Sequence, residues 1–258
     1  MRLRVANRVF EPRAWALLAT VLAVAAFVSL GSWQLGRAGE KRARIASFEH
    51  GARTSVALGA DGSVDDLPRY QHVTADGRYD AAHQVLVDNM PSRAGRPGFR
   101  VLTPLVRPGA ERLLLVDRGW VPLGATREQL PAIDVGAEPR AVAGRLDDLP
   151  QPGVRVGAAG VTGAERWPRV LNFPREADFE QVFGRPVEAR IVLLDSDAPD
   201  GYERAWRPAM GFGPERHLGY AIQWFALATT VCVVFVALSL RPAATISDPP
   251  APPEQTQP

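Results

Sequence analysis

Two long uncharged stretches lie near the two ends of the chain. The first, Ala14–Leu30, contains only Thr20 and Ser29 as polar residues, and with residues 31–35 it exceeds the ~20 residues that a helix needs to cross a bilayer. The second, Leu218–Leu240, corresponds to about 34 Å of helix at 1.5 Å per residue. Aromatic residues typical of a membrane–water interface lie near the ends of these stretches: Trp15, Trp33, Tyr220 and Trp224. The pattern predicts transmembrane helices at residues 14–35 and 214–240.

The first stretch has an alternative interpretation as a cleaved signal peptide. Ala23 and Ala25 fit the small-residue cleavage pattern, and basic residues precede the stretch. Because the apolar run continues past that point and a second run follows, an uncleaved anchor is favoured. The short N-terminal tail, residues 1–13, holds four arginines, so the positive-inside rule places both termini in the cytoplasm and the large middle region outside.

The middle region, residues 36–213, shows repeated strand signals. Short β-branched and aromatic segments are separated by Gly, Pro and Asn turns. The predicted strands are Gln71–Ala75 with Arg78–Tyr79, His83–Val87, Phe99–Val106, Leu113–Arg118, Pro139–Leu146 and Val187–Leu194. Their spacing predicts a mainly antiparallel β (α+β) domain, either a sheet or a small barrel, with one or two helices.

The remaining segments complete this prediction. We expect a juxtamembrane helix over Gln34–Phe48 and a second helix over Arg175–Phe183, which Gly184 ends. Gly51–Leu67 and Gln151–Gly163 are predicted to be loops because they are rich in small residues and lack periodicity. Residues 241–258 form a Pro-rich tail that is predicted to be disordered.

Charge and composition exclude several classes of function. From Gln34 to Arg216 the chain has 25 basic and 25 acidic residues, which argues against nucleic-acid binding. A single cysteine, Cys232, excludes a disulfide framework and zinc sites built from Cys clusters. No nucleophile, phosphate-loop or metalloprotease motif is present, and three histidines, His50, His72 and His83, read as surface or hydrogen-bonded strand residues. The chain is therefore not expected to be an enzyme.

His217 differs from the other histidines because of its position. Gly213, Pro214 and Glu215 form a helix-start pattern, which puts His217 in the first turn of the second span. The positive helix end disfavours the imidazolium, and neutral imidazole is the form that ligates metals. Tyr220 and Trp224 follow three and seven residues later on the same face. This arrangement suits either a haem ligand beside an aromatic wall or a histidine that only lies at the interface.

Five segments of the chain resemble the surfeit locus protein 1 family. They are Gly31–Arg37 with Lys41, Gly77–Asp80, Gly98–Leu105, Leu115–Pro122 and His217–Phe225, in the family's order and placement against two spans. The resemblance implies an assembly factor for haem–copper cytochrome c oxidase that binds haem a transiently and helps to place it in oxidase subunit I. It also implies that His217 is the haem-iron ligand. Ala226, where many relatives have Gly, departs from the pattern, and neither span contains another histidine.

These expectations define a candidate site and its partners. The haem would lie on Trp33, Tyr220 and Trp224, and Arg37 would either face the propionates or bind lipid phosphates. Subunit I, haem a synthase and the lipid bilayer are the expected partners, in a multi-pass protein of the bacterial cytoplasmic (inner) membrane. Two alternatives stay open: a scaffold that stabilises an oxidase intermediate without haem, and a membrane-tethered enzyme with a nucleophile and a base in one pocket.

Overall fold

The computed structural model describes residues 3–5, 8–60, 62–127, 129–150, 160–162, 166–172, 174–208 and 211–242. The chain divides into two compact units. One unit comprises residues 1–42 and 210–258, which include both long apolar stretches, and is called the helix unit below. The other comprises residues 43–209 and is called the β unit.

Three helices and twelve strands form the described chain. The helices are α1 (Ala14–His50), α2 (Glu176–Phe183) and α3 (Pro214–Ser239). The strands are β1 (Leu3–Val5), β2 (Arg8–Phe10), β3 (Ser55–Leu58), β4 (His72–Tyr79), β5 (Val85–Val87), β6 (Gly98–Val106), β7 (Leu114–Pro122), β8 (Arg140–Asp148), β9 (Gly160–Thr162), β10 (Arg169–Asn172), β11 (Arg190–Leu194) and β12 (Leu240–Pro242).

The two long helices have the length and composition of membrane spans. In the most apolar windows of α1 and α3 only 6% and 11% of the residues are buried, so neither is the core helix of a soluble domain. The hydroxyl groups of Ser29, Thr229 and Thr230 each donate to the carbonyl four residues earlier, which satisfies them without water. The protein is therefore a membrane protein with two spans, and the broader term multi-pass overstates the layout.

Helix α1 continues well beyond the apolar stretch, to His50. The predicted juxtamembrane helix is confirmed as its last part. Gly51 follows the helix, and its N–H donates to the Ser47 carbonyl at 2.9 Å. A Cβ at Gly51 would lie 2.1 Å from the Tyr70 carbonyl oxygen, so only glycine fits where the chain turns into the β unit.

The two tails of the helix unit pair with each other. Strand β2 lies between β1 and β12, and all pairings are antiparallel. The Glu11 N–H also donates to the Ser239 carbonyl at 2.8 Å. The chain therefore enters α1 and leaves α3 at the same end of the helix pair. This corrects the prediction of disorder for Arg241 and Pro242, which form β12 because β2 supplies a partner strand; residues 243–258 lie outside the described residues.

The β unit is built on a closed five-stranded barrel. The barrel strands follow the order β4-β8-β11-β7-β6, and pairing of Arg78 with Val106 and of Tyr79 with Leu105 returns β6 to β4. β7 and β11 are parallel, whereas the other barrel neighbours are antiparallel. β3 extends the sheet beyond β4, and β5, β10 and β9 extend it beyond β6. The predicted fold class, two apolar helices flanking a mainly β domain, is confirmed.

One predicted loop contains a strand. Within Gly51–Leu67, residues Ser55–Leu58 form β3, which pairs in parallel with β4. Only Leu58 of this strand is buried, and Ser55 and Val56 are exposed. An edge strand with one buried residue leaves no alternation in the sequence, which is why the prediction of a loop was wrong here. Most of Gln151–Gly163 lies outside the described residues, apart from β9.

Two apolar layers hold the β unit together. The barrel interior contains Val73, Val116, Leu146 and Val192, all fully buried. Helix α2 covers a second layer through Phe179, which is 0% exposed. The helix is confirmed close to its predicted bounds, and Gly184 caps it at φ 62°. At its start, the Asp178 carboxylate accepts from the Arg175 N–H at 2.7 Å, which lowers the pKa of Asp178.

Candidate functional site

Two stripes of residues line the seam between α1 and α3. Phe27, Gly31, Gln34 and Ala38 repeat at spacings of four, three and four on α1, as do His217, Ala221, Trp224 and Ala228 on α3. The small members Gly31, Ala38, Ala221 and Ala228 are buried. Side chains therefore meet along one face of each helix, and His217 lies in this seam.

The central polar contact of the seam joins His217 to Gln34. The His217 Nδ1 atom lies 2.8 Å from the Gln34 Oε1 atom, and the pair is partly buried. Because an amide oxygen only accepts, Nδ1 is the donor in this contact, and Nε2 is the ring nitrogen that Gln34 leaves unoccupied. No hydrogen bond to Nε2 is present among the described residues. The contact thus orients the imidazole ring and leaves Nε2 turned away from Gln34.

Gln34 was not among the predicted site residues. Its sequence signal is an uncharged amide at the end of an apolar run, where polar side chains usually face a partner helix. The sequence does not show which residue of the second span it meets, because the two are 183 positions apart. Only the antiparallel packing of the helices reveals this pair.

The predicted aromatic wall beside His217 is divided between two surfaces. Trp224 stacks on Phe27, with ring centroids 5.7 Å apart and an interplanar angle of 26°. Tyr220 is 45% exposed, whereas Ala221 between them is 1% exposed. Trp224 therefore contributes to the seam itself, and Tyr220 offers a free aromatic surface next to it.

Trp33 and Arg37 meet each other on α1. The Arg37 guanidinium lies 5.8 Å from the centre of the Trp33 ring, which is 55% exposed. Arg37 also pairs with Glu40 at 2.8 Å, one turn further along the helix. Both side chains are at least half exposed, so the pair is worth no more than about 0.5 kcal/mol and is readily exchanged for another anion. Within the described part of the chain, these residues contact each other and not His217.

These residues fit the group that the resemblance implies, a haem. The imidazole of His217 would hold the iron through Nε2, the nitrogen that does not face Gln34. Exposed Trp33 and Tyr220 supply flat apolar surfaces, and Arg37 supplies a cation for a carboxylate. Among the described residues His217 is the one histidine in the seam, since the other helical histidine, His50, lies exposed at the end of α1; the seam therefore supplies one imidazole and not two.

The segment Leu115–Pro122 of β7, one of the five that resemble the family, has a structural role in the β unit. Trp120 is 5% exposed, and its Nε1–H donates to the Met90 carbonyl at 2.8 Å. Gly119 adopts φ 115°, and its N–H donates to the Asp117 carboxylate at 3.0 Å. The segment is therefore a packed strand in which Gly119 permits the left-handed conformation.

Arg118 connects the barrel to two loops. Its guanidinium donates to the Asp200 carbonyl at 2.7 Å, to the Gln84 side chain at 2.8 Å and to the Ile133 carbonyl at 3.2 Å. The side chain is 1% exposed, and burial lowers its pKa. Beside it, burial raises the pKa of the Asp117 carboxyl, although Arg100 pairs with that group and opposes the shift. These charges support the fold and are not presented at the surface.

A serine, a histidine and an aspartate form a hydrogen-bonded row at one edge of the β unit. The His72 ring lies 2.9 Å from the Ser55 Oγ and 2.8 Å from the Asp195 carboxylate. Ser55 and His72 are register neighbours on β3 and β4, and Ser55 is exposed at the start of the edge strand. A row of this kind satisfies both ring nitrogens, but an acyl-transfer site also needs oxyanion donors and a binding cavity. None of the three residues lines the cavity between Glu11 and Arg241 or the cavity between Asp88 and Arg127.

Comparison with known proteins agrees with the resemblance in the sequence. The model of the SURF1 family matches residues 21–229, which include the larger part of each long helix and the whole β unit. A SURF1-like protein from Rickettsia conorii is 25% identical over 222 residues, covering 83% of this chain and 87% of that protein.

Proposed function

Because the chain belongs to the SURF1 family, whose role is in oxidase assembly, we propose that it holds haem a and assists its insertion into oxidase subunit I. The family and the two apolar helices support a membrane-anchored assembly factor. The haem step rests on the geometry of the helix unit. Its single strongest support is the hydrogen bond between His217 and Gln34, which leaves Nε2 to bind iron.

A carrier must release what it holds, and the seam supports weak binding. His217 would hold the iron as a single protein ligand, so release would require the loss of only one bond to the protein. Tyr220 and Trp33 are about half exposed, so a macrocycle on these surfaces stays accessible from the lipid side. Arg37 exchanges its exposed partner Glu40 for a propionate at little cost. Each element favours an exchangeable complex.

The proposal also includes the location and partners of the protein. The arginines of the N-terminal tail favour a cytoplasmic position for the tails of the helix unit in a bacterial inner membrane, which places residues 43–209 on the outer side. Since β2 pairs with β12, both tails share one side. Subunit I is the proposed recipient of the haem, and haem a synthase is the proposed donor.

The test is the haem content of the full chain purified from cells that make haem a. We expect the wild-type protein to carry haem absorbance and the His217→Ala protein to lose at least nine-tenths of it. His50→Ala is the matched control, because His50 is exposed at the end of α1, outside the seam. Retention of the same spectrum and haem content by His217→Ala would refute the ligand assignment.

The same material distinguishes the haem carrier from a scaffold. A scaffold purifies without haem in every variant, yet its deletion still lowers the amount of assembled subunit I. A haem carrier gives the opposite pattern: the wild-type protein purifies with haem, and its deletion leaves subunit I present but short of haem a. Haem a synthesis is measured separately in both strains, so that a shortage of the pigment is not mistaken for a defect in its insertion.

A further inference from the structure

The helix unit contains a cavity at the end opposite to His217. Its volume is about 530 Å³, and it lies between the start of α1 and the end of α3. Small and aliphatic residues form much of its wall, among them Ala16, Ala19, Val231 and Val234. Trp15 at its rim is 67% exposed and Leu238 is 79% exposed. A space of this size and lining suits a hydrocarbon chain.

The charged residues of this cavity lie at one end. Arg13 and Arg241 line it together with Glu11, which gives the mouth one net positive charge. Arg241 and Glu11 are 3.9 Å apart, and the Arg241 side chain is 53% exposed. An exposed ion pair of that length is weak, so Arg241 is able to turn to a phosphate. Arginine binds phosphate with two parallel hydrogen bonds.

The tail sheet keeps the two walls in place. β2 pairs with β12 immediately beyond the cavity, and the Glu11 N–H bonds the Ser239 carbonyl. Phe10 packs edge-on against Phe235, a lining residue, with ring centroids 6.1 Å apart. The cavity is therefore formed before any occupant arrives, which reduces the cost of binding.

We propose that this cavity binds an anionic phospholipid. One acyl chain lies between Ala19 and Val234, and the phosphate contacts Arg13 and Arg241. The charge of the mouth argues for an anionic headgroup over a zwitterionic one, since basic pockets between membrane helices select anionic lipids. The occupant bridges the two helices at the end where only short strands join them. This site is separate from the haem proposal and does not depend on it.

The test uses Trp15 as a reporter, with the full chain reconstituted in vesicles. The vesicles contain phosphatidylglycerol or phosphatidylcholine with brominated acyl chains, at equal bromine content. The fluorescence quenching of Trp15 is obtained by subtracting the quenching of the Trp15→Phe variant from that of the wild type. We expect phosphatidylglycerol to be preferred about fivefold, the factor that one net positive charge near a membrane supplies. Trp33, reported in the same way through Trp33→Phe, is expected to show a smaller preference.

Three further measurements make the test decisive. The double substitution Arg13→Gln and Arg241→Gln abolishes the preference for phosphatidylglycerol at Trp15. The control Arg216→Gln, in the first turn of α3, retains that preference. Ala19→Phe fills the cavity and reduces quenching by both lipids. In the unaltered protein, raising the salt from 0.1 M to 1 M lowers the preference. Equal quenching by the two lipids in the wild type would overturn the proposal, as would displacement of the brominated lipid from Trp15 by added haem.

Discussion

Replacement of Arg118 by methionine is the sharpest test of how the β unit is held together. Methionine has a similar length but no donor, so the acceptors around the guanidinium lose their partner. The two shortest bonds, to the Asp200 carbonyl and to the Gln84 side chain, are 2.7 and 2.8 Å long. A hydrogen bond to a charged group contributes roughly 1.5–3 kcal/mol, so the free energy of unfolding falls by about 3–6 kcal/mol. That is a large part of the ~5–15 kcal/mol that stabilises a typical domain.

The assay is thermal unfolding of the full chain in detergent, followed by tryptophan fluorescence. For a domain of ~150–250 residues the expected loss lowers Tm by on the order of 10 °C. Arg78→Met is the matched control, because Arg78 is exposed on β4 and should shift Tm little. Arg118→Lys retains the charge but not the fork of donors, so we expect an intermediate Tm. If Arg118→Met unfolds within about 2 °C of Arg78→Met, the reasoning about this buried guanidinium is wrong.

Three further predictions concern single positions. Gly119→Ala destabilises the β unit by about 1–3 kcal/mol, because φ is 115° and a Cβ would lie 2.8 Å from the Arg204 Cγ. Gly59→Ala is the control, since a Cβ at Gly59 has open space around it. Equal urea midpoints for the two variants would contradict the prediction. Burial raises the pKa of Tyr79 to about 12, so the stability it contributes is complete below pH 10 and is lost between pH 10 and 12. Between pH 10 and 12 the free energy of unfolding of Tyr79→Phe should fall by up to about 3 kcal/mol less than that of the wild type. An equal fall in the two proteins would refute the assignment of this pH dependence to Tyr79. At Gly31 even a Cβ would lie 2.8 Å from the Phe225 ring, so the methyl groups of Gly31→Val should disturb the seam. Haem content should then fall while the Tm of the β unit stays constant. Gly36→Val should leave both quantities unchanged, because a Cβ at Gly36 has no neighbour within 4 Å.

The elements with strong local signals were predictable from the sequence. An uncharged run longer than a bilayer is a sufficient signal for α1 and α3, and Gly184 marks the end of α2 because it adopts a left-handed conformation that favours glycine. The strand signals were sufficient to predict a β domain. β3 was missed because an edge strand with one buried side chain has no alternating pattern.

The missed contacts of the site depend on distant parts of the chain. His217 was predicted from its place in the first turn of a span, which is a local property. Gln34 and Phe27 were missed because their roles depend on which residues of α3 face them, and periodicity does not give the register between two helices. The closure of the barrel through β4 and β6 was equally beyond local patterns, as it joins strands separated by β5.

The most direct measurement of the central claim is chemical rescue of the iron ligand. His217→Gly removes the imidazole and leaves a space beside Gln34 that free imidazole in solution is able to enter. We expect the purified variant to lack the haem absorbance of the wild type and to regain it when imidazole and haem a are supplied together, but not with haem a alone. Absorbance that is present before imidazole is added, or that never returns, would contradict binding of the iron by this side chain.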